Sequence, residues 1–158
     1  MRENRVRKAA LLLFLCYTPS CGVKEDAQLF VYARNATLTK GTNAFGSKLD
    51  GAVEVFFDLG KYTQEAATIE SISLGMYRDN KQVVPAAKIE PAAGTAFPMT
   101  LAPGSRQTIK YTITRSQLID NEPVELCAGP VKLTGAVKQT GKGELQISSD
   151  AITVSGCP

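Results

Sequence analysis

Apolar residues occupy every second position over several stretches of this chain, and this period constrains the fold more than any other feature. Within 53–59, four apolar residues alternate with Glu54, Phe56 and Asp58. Successive side chains of a strand point to opposite faces of a sheet, so the pattern predicts strands buried on one face. The clearest strands are predicted at 53–59, 72–76, 109–113 and 131–137, and weaker ones at 29–38, 97–101, 124–127 and 144–154.

Residues that favour turns separate these segments. Gly, Pro, Asn or Asp supply the backbone conformations of turns predicted at 78–81, 102–105 and 141–143. Only 61–68 and 115–121 could form a helical turn, and both are short. Roughly seven to nine short strands with regular turns between them predict an antiparallel β-sandwich.

Two segments resemble parts of bacterial immunoglobulin-like domains. Residues 101–109 contain a Leu-x-Pro-Gly turn that leads into an alternating strand, and residues 148–154 are similar to the last strand of such domains. The chain has no Trp, which sets it apart from antibody-type domains. The resemblance implies an all-β, immunoglobulin-like antiparallel β-sandwich over 28–158. Such a scaffold serves adhesion, spacing or assembly, although a fold alone does not fix a function.

The start of the chain is organised like an export signal. Four basic residues precede the apolar run 9–15, and Cys21 follows Ser20. The run is far shorter than the roughly 20 residues of a membrane-spanning helix. With its cysteine, the segment resembles a bacterial lipoprotein signal. The resemblance implies a signal peptide at 1–20, acylation of Cys21, a tether at 21–27 and an anchor in the bacterial envelope, at the outer membrane or cell surface.

The match to the lipoprotein pattern is incomplete. Thr18 stands where that family has Leu, and Pro19 follows it. Cys16 is a competing candidate, but the residue before it is too large for a position beside the cut. An ordinary secretory signal, cleaved near Ser20 or Cys21 to give a soluble secreted protein, therefore remains open.

The charge balance argues against nucleic acid as a partner. The sequence has 18 Lys and Arg residues and 15 Asp and Glu residues. Four of the basic residues and one acid lie within 1–20, which leaves 14 of each sign. Proteins that follow a phosphate backbone need clustered Lys and Arg, and no such cluster remains outside the leader. We therefore expect no nucleic-acid binding.

Two cysteines remain once the signal is removed and Cys21 is acylated, and they predict a disulfide. Opposite residues of an antiparallel hairpin have numbers with a constant sum. The turn at 141–143 therefore puts Cys127 nearly opposite Cys157, within disulfide reach. A bulge at Pro130 or within 148–150 would shift this register, and we allow a slip of two residues.

The chain contains no histidine. This excludes Ser-His and Cys-His nucleophiles and removes the commonest transition-metal ligand. Ser-Lys and carboxylate pairs remain formally possible. However, the strand lysines are predicted on polar faces, and Glu54 and Asp58 lie about 13 Å apart on one strand, too far to share a proton. We predict no enzyme, no catalytic residue, no cofactor and no metal.

Two weaker patterns are interpreted as turns. Residues 135–143 approach a phosphate-binding loop, but the spacing is one residue too long and Gly143 stands where a hydroxyl is needed. Acidic and amide side chains at 79–80 and 120–122 could suit calcium, yet neither segment has EF-hand spacing, and such residues more often stabilise turns.

Phe56 breaks the alternation, because it shares a strand face with Glu54 and Asp58. Either this strand is covered on both faces or a single aromatic is exposed. A functional interpretation makes Phe56 an apolar contact for a partner. The function we predict is a non-catalytic envelope lipoprotein domain, a binding, adhesion or structural module. Its partners are the membrane, through lipid on Cys21, and an envelope protein or polysaccharide. The alternatives are a small hydrolase without histidine and a soluble secreted ligand-binding protein.

Overall fold

The computed structural model describes residues 29–158. The predicted signal peptide at 1–20, the tether at 21–27 and Cys21 lie outside the described residues. The described part of the chain contains nine strands and one short helix. They are β1 (Leu29–Asn43), β2 (Gly46–Leu59), β3 (Ala67–Arg78), β4 (Lys81–Gln82), β5 (Lys88–Pro91), β6 (Met99–Leu101), β7 (Arg106–Arg115), α1 (Glu122–Cys127), β8 (Lys132–Gln139) and β9 (Glu144–Ser148).

The strands form two antiparallel sheets that pack together. The first sheet has the order β1-β2-β7-β5, and the second has the order β4-β3-β8-β9, with β6 also paired to β3. With β4 and β6 as added short strands beside β3, the other seven strands, lettered in chain order, form the A-B-E-D and C-F-G sheets of an immunoglobulin-type sandwich. The predicted fold class is therefore confirmed.

Alternation along the strands builds the core between the sheets. Val55, Phe57 and Leu59 of β2 are fully buried, and Ile109 and Tyr111 of β7 lie beside them at 2% exposure. Across a sheet, directly paired residues share a face, so one strand's apolar set meets the next strand's apolar set. The two sheets then bury these faces against each other.

The predicted turns are confirmed, and each contains Gly, Asn or Asp residues that adopt positive φ. Asp79 and Asn80 have φ of 48° and 64° between β3 and β4. Gly104 has φ of 70°, and the Ser105 amide donates to the Ala102 carbonyl across 3.0 Å. Gly141, with φ of 69°, closes the β8–β9 hairpin, so the phosphate-loop-like pattern is a turn as predicted.

One region differs from the prediction in its secondary structure. Residues 124–127, predicted as a weak strand, belong to α1, while 61–68 and 115–121 form no helix. A segment of four residues with one charged side chain is too short for its pattern to distinguish strand from helix, and here tertiary contacts decide. The Arg78 guanidinium donates hydrogen bonds to the carbonyls of Glu125, Leu126 (3.3 Å), Gly129 and Pro130 (3.2 Å).

The C-terminal hairpin has the predicted turn with a small shift of register. Gly135 lies opposite Ile147 rather than Ser149, a slip of two residues. Strand β9 ends at Ser148, earlier than the predicted strand at 144–154, and beyond it Ile152 forms an isolated antiparallel bridge with Val131. Beyond it, the Ser155 amide donates to the Leu38 carbonyl across 3.0 Å, which joins the chain after β9 to β1 in a parallel bridge. This crossing links the two sheets.

The predicted disulfide is present, and the two cysteine Cα atoms lie 5.5 Å apart. Cys127 is the last residue of α1 rather than a strand residue, so the bond joins the helix to the end of the chain. We call this end of the sandwich the disulfide end; it also carries the β1–β2 and β3–β4 turns. The opposite end, with the start of β1 and loops 60–66, 102–105 and 140–143, we call the Leu29 end. Within residues 29–158, no helix is both long and apolar enough to cross a bilayer.

Candidate functional site

Three aromatic side chains lie on the outer face of the first sheet. Tyr32 of β1 pairs directly with Phe56 of β2, and their ring centres are 4.9 Å apart. Phe30 lies two residues earlier on the same face of β1. Phe30 and Tyr32 are 52% and 43% exposed. We call these three residues the aromatic patch.

The sequence produces this patch because β1 and β2 both bury odd-numbered residues here and turn even-numbered residues outward. Leu29 and Ala33 of β1 are buried, so the residues between them with even numbers face outward. The register of β1 against β2 then sets Tyr32 beside Phe56 rather than beside a charged residue. A shift of two residues would place it opposite Glu54 or Asp58, so the grouping depends on this register.

Arg34 completes one side of the patch. Its guanidinium lies 4.8 Å from the centre of the Phe56 ring, a cation–π distance. Its Nε also lies 3.5 Å from a Glu54 carboxylate oxygen. Glu54 in turn accepts a hydrogen bond from the Asn35 amide at 2.8 Å and lies 4.0 Å from the Lys110 amine. The arginine is thereby fixed over the ring.

A second ion pair borders the other side of the patch. Arg106 of β7 donates to the Asp58 carboxylate across 2.9 Å, and Asp58 lies directly opposite Phe30. On this face the Tyr32–Phe56 pair therefore lies between the row of Arg34, Glu54 and Lys110 and the row of Phe30, Asp58 and Arg106. Glu54 and Asp58 belong to separate ion pairs with different cations, so they do not form a carboxylate dyad.

Phe56 was identified from the sequence, while its two aromatic neighbours were not. Phe56 is half-buried, because Tyr32 and Arg34 cover it, so it is neither a lone exposed ring nor part of a strand with two buried faces. In the sequence, the only sign of these neighbours was that Phe30 and Tyr32 alternate with the inward-facing residues of 29–33. The pairing of β1 with β2 was needed to show that they lie beside Phe56.

The outer face of the second sheet has a different composition. Lys138 and Glu70 form an ion pair of 2.7 Å, and Thr140 donates to the same carboxylate across 3.0 Å. These hydrogen bonds lower the pKa of Glu70, and the bond to Glu70 raises the pKa of Lys138. Both groups stay charged at neutral pH, so the pair has a structural character and is not poised for proton transfer.

A shallow cavity of about 320 Å³ lies beside this pair, at the Leu29 end. Two strand ends and a hairpin turn form its walls. Its lining residues are Glu65, Ala66, Ala67, Thr68, Gln139, Thr140, Gly141 and Lys142. The lining has one carboxylate and one amine, and it contains neither a serine beside the lysine nor a second acid.

The other residues considered from the sequence lie on exposed strand faces or in turns. Lys110, Lys132 and Lys138 are exposed, as their alternation predicts. Asp120, in one of the two loops considered for calcium, has φ of 50° and forms part of the turn before α1. Among residues 29–158, no three Cys, Asp or Glu side chains are grouped closely enough to hold a metal ion. The absence of catalysis and of a cofactor stays a prediction.

Comparisons with known proteins add no family to this picture. No protein-family model matches the chain, and no curated protein is significantly similar to it.

Proposed function

We propose that this protein is a non-catalytic envelope lipoprotein, anchored by lipid on Cys21, that binds an envelope protein or polysaccharide through the aromatic patch. The observation that carries the binding surface is the contact of Tyr32 with Phe56 beneath Arg34. Aromatic and arginine side chains are the residues most often responsible for binding energy at interfaces. Large rings left on a sheet face also mark interaction sites.

The arrangement of the patch favours binding because little order has to be gained. Phe56 is covered by its neighbours, and Arg34 is fixed by Glu54 and by the ring below it. Side chains that are already in place lose less conformational entropy when a partner arrives. Asp58, Arg106 and the other flanking charges offer polar groups around the rings, which resembles the apolar centre and polar rim of an interface.

The anchor is supported by the sequence features of the leader and by the cysteine arrangement. Cys127 and Cys157 are bonded to each other, so Cys21 would be the one remaining thiol after cleavage at residue 20. Intact-mass measurement of the mature protein tests this part directly. We expect a chain that begins at Cys21 and carries lipid, and we expect Cys21→Ala to release the protein from the membrane fraction. An unmodified Cys21 would refute the anchor.

Photocrosslinking in cells tests the binding surface. Tyr32→p-benzoylphenylalanine should give adducts with an envelope protein or with peptidoglycan. Phe45→p-benzoylphenylalanine is the control, since Phe45 is exposed but lies in the β1–β2 turn, away from the patch. Phe56→Ser should lower the yield at position 32. Equal adducts from both positions, or none from position 32, would refute the patch.

A further inference from the structure

An exposed aromatic ring and a lysine lie together at the Leu29 end. Tyr62, in loop 60–66, is 75% exposed, and the Lys61 amine lies 4.9 Å from the centre of its ring. Both side chains have an apolar body and a polar tip. This combination suits the boundary between lipid headgroups and acyl chains, where such side chains are enriched.

Three loops at this end form one surface. The Leu59 amide donates to the Ser105 carbonyl across 3.0 Å, which joins the start of loop 60–66 to the turn at 102–105. A Cβ on Gly104 would lie 3.5 Å from the Lys61 Cα, so this turn lies against the backbone of Lys61. Loop 60–66 also shares the walls of the shallow cavity with the turn at 140–143. We call these three loops the loop surface.

The length of chain before β1 limits which part of the domain can face a membrane. Seven residues separate Cys21 from Leu29, and the eight steps between their Cα atoms reach at most about 26–29 Å. β2 has 14 residues and is therefore about 45 Å long. If the disulfide end faced the bilayer with β2 upright, Leu29 would lie about 45 Å from the membrane, which is beyond this reach. With Cys21 anchored, the Leu29 end is therefore the one held close to the bilayer.

We propose that the loop surface contacts the lipid bilayer, with Tyr62 in the headgroup region and Lys61 against anionic headgroups. The inference rests on the proposed anchor at Cys21. Phe30 begins the aromatic patch at the same end but on the side of the sandwich, so membrane contact leaves the patch open. The partner would then be bound on the side of the domain, just above the bilayer.

The protein contains no Trp, so a single introduced indole reports its own surroundings. Tyr62→Trp places it in the loop surface, and Phe45→Trp places it at the disulfide end. The two positions are matched controls, since their native side chains are 75% and 76% exposed. The mature chain, residues 21–158, is coupled through the Cys21 thiol to a maleimide lipid in vesicles of phosphatidylethanolamine and phosphatidylglycerol with brominated acyl chains.

We expect the emission of Tyr62→Trp to shift to the blue and to lose most of its intensity on these vesicles. Phe45→Trp should keep the spectrum it has without vesicles. Equal quenching of both variants, quenching of Phe45→Trp alone, or quenching of neither would overturn the proposed contact. A shift of the Tyr62→Trp spectrum when the uncoupled chain binds peptidoglycan would assign the loop surface to that polymer and overturn the contact as well.

A charge variant tests the role of the lysine. Adding Lys61→Glu to Tyr62→Trp should reduce the quenching several-fold on these anionic vesicles, whereas adding Lys88→Glu, on β5, should leave it unchanged. Equal effects of the two substitutions would refute the contact between Lys61 and headgroups. Because coupling to the maleimide lipid replaces acylation in the cell, an unmodified cellular Cys21 refutes the anchor separately, whatever the spectra show.

Discussion

The two ends of the sandwich are built in opposite ways. At the disulfide end, a covalent bond, a short helix and the four carbonyl contacts of Arg78 connect elements that are distant in the sequence. At the Leu29 end, three loops meet through a few backbone contacts and expose Tyr62 and Lys61. The covalent link and the carbonyl contacts of Arg78 lie at the first end, and we expect the exposed loops of the second end to be freer to carry surface chemistry.

This contrast predicts a ranking of substitutions by how much they lower the free energy of unfolding. Changes at the disulfide end should destabilise the domain strongly, and changes of exposed side chains at the Leu29 end should hardly affect its stability. The buried Tyr111 should contribute an effect of intermediate size, and this effect should depend on pH. Each expected effect can be measured by urea denaturation of the mature chain.

Removal of the disulfide is expected to have the largest effect. The bond joins residues separated by 30 positions, so Cys127→Ala with Cys157→Ala should lower the free energy of unfolding by about 3–4 kcal/mol, because the unfolded chain regains loop entropy. Reduction of the unmodified protein should lower it by a similar amount. A loss below about 1 kcal/mol would contradict the idea that this end holds the domain together.

Arg78→Ala should rank second. It removes charged hydrogen bonds to four carbonyls, and we expect a loss of about 2–3 kcal/mol. Arg78→Lys should recover only a part, since one ammonium cannot reach every carbonyl that the planar guanidinium does. Arg106→Ala is the control from the Leu29 end; its exposed pair with Asp58 should contribute at most about 1 kcal/mol. Equal losses of unfolding free energy for Arg78→Ala and Arg106→Ala would contradict the proposed difference between the two ends.

Tyr111 gives an intermediate, pH-dependent effect. Its burial raises the pKa of its hydroxyl, so at high pH the folded state keeps a proton that the unfolded state loses. Stability should therefore fall once pH exceeds the usual tyrosine value of about 10, by up to about 1.4 kcal/mol per pH unit. Among residues 29–158 this hydroxyl has no hydrogen-bond partner, so Tyr111→Phe should fold well. A wild-type decline between pH 8 and pH 11 no steeper than that of Tyr111→Phe would exclude this origin.

The smallest effect is expected at the Leu29 end. Tyr62→Ser and Lys61→Ser should each change the free energy of unfolding by less than about 0.5 kcal/mol, as exposed substitutions usually do. The same variants should weaken membrane contact. A loss of stability comparable to that of Arg78→Ala would mean that the loop surface supports the fold, and that its exposed residues are not free for another role.

Features with a local cause were predictable from the sequence. Asp79, Asn80 and Gly104 each have a conformational preference that defines a turn without help from distant residues. The alternating strands were equally clear, because burial of one face depends on a period of two. The helix α1 was not predictable, because the side chain that donates hydrogen bonds to its carbonyls, Arg78, comes from strand β3.

Features that depend on register were predicted only in part. The disulfide was anticipated from the position of one hairpin turn, although Cys127 lies in a helix and the ladder is shifted by two residues. Phe56 was identified because it interrupts a pattern within its own strand. Its partner Tyr32 was missed, because the pairing of β1 with β2 is a long-range property that neither strand shows alone.

The bond between Cys127 and Cys157 also determines what a protease could remove. It closes the whole β8–β9 hairpin, including the exposed turn at Gly141, into a ring. Exposed turns with glycine are favoured sites of cleavage. One cut inside this ring leaves the two pieces covalently joined, with the outermost strand still held against the sheet. A nicked molecule would therefore migrate as one species on a non-reducing gel until a reductant separated the fragments.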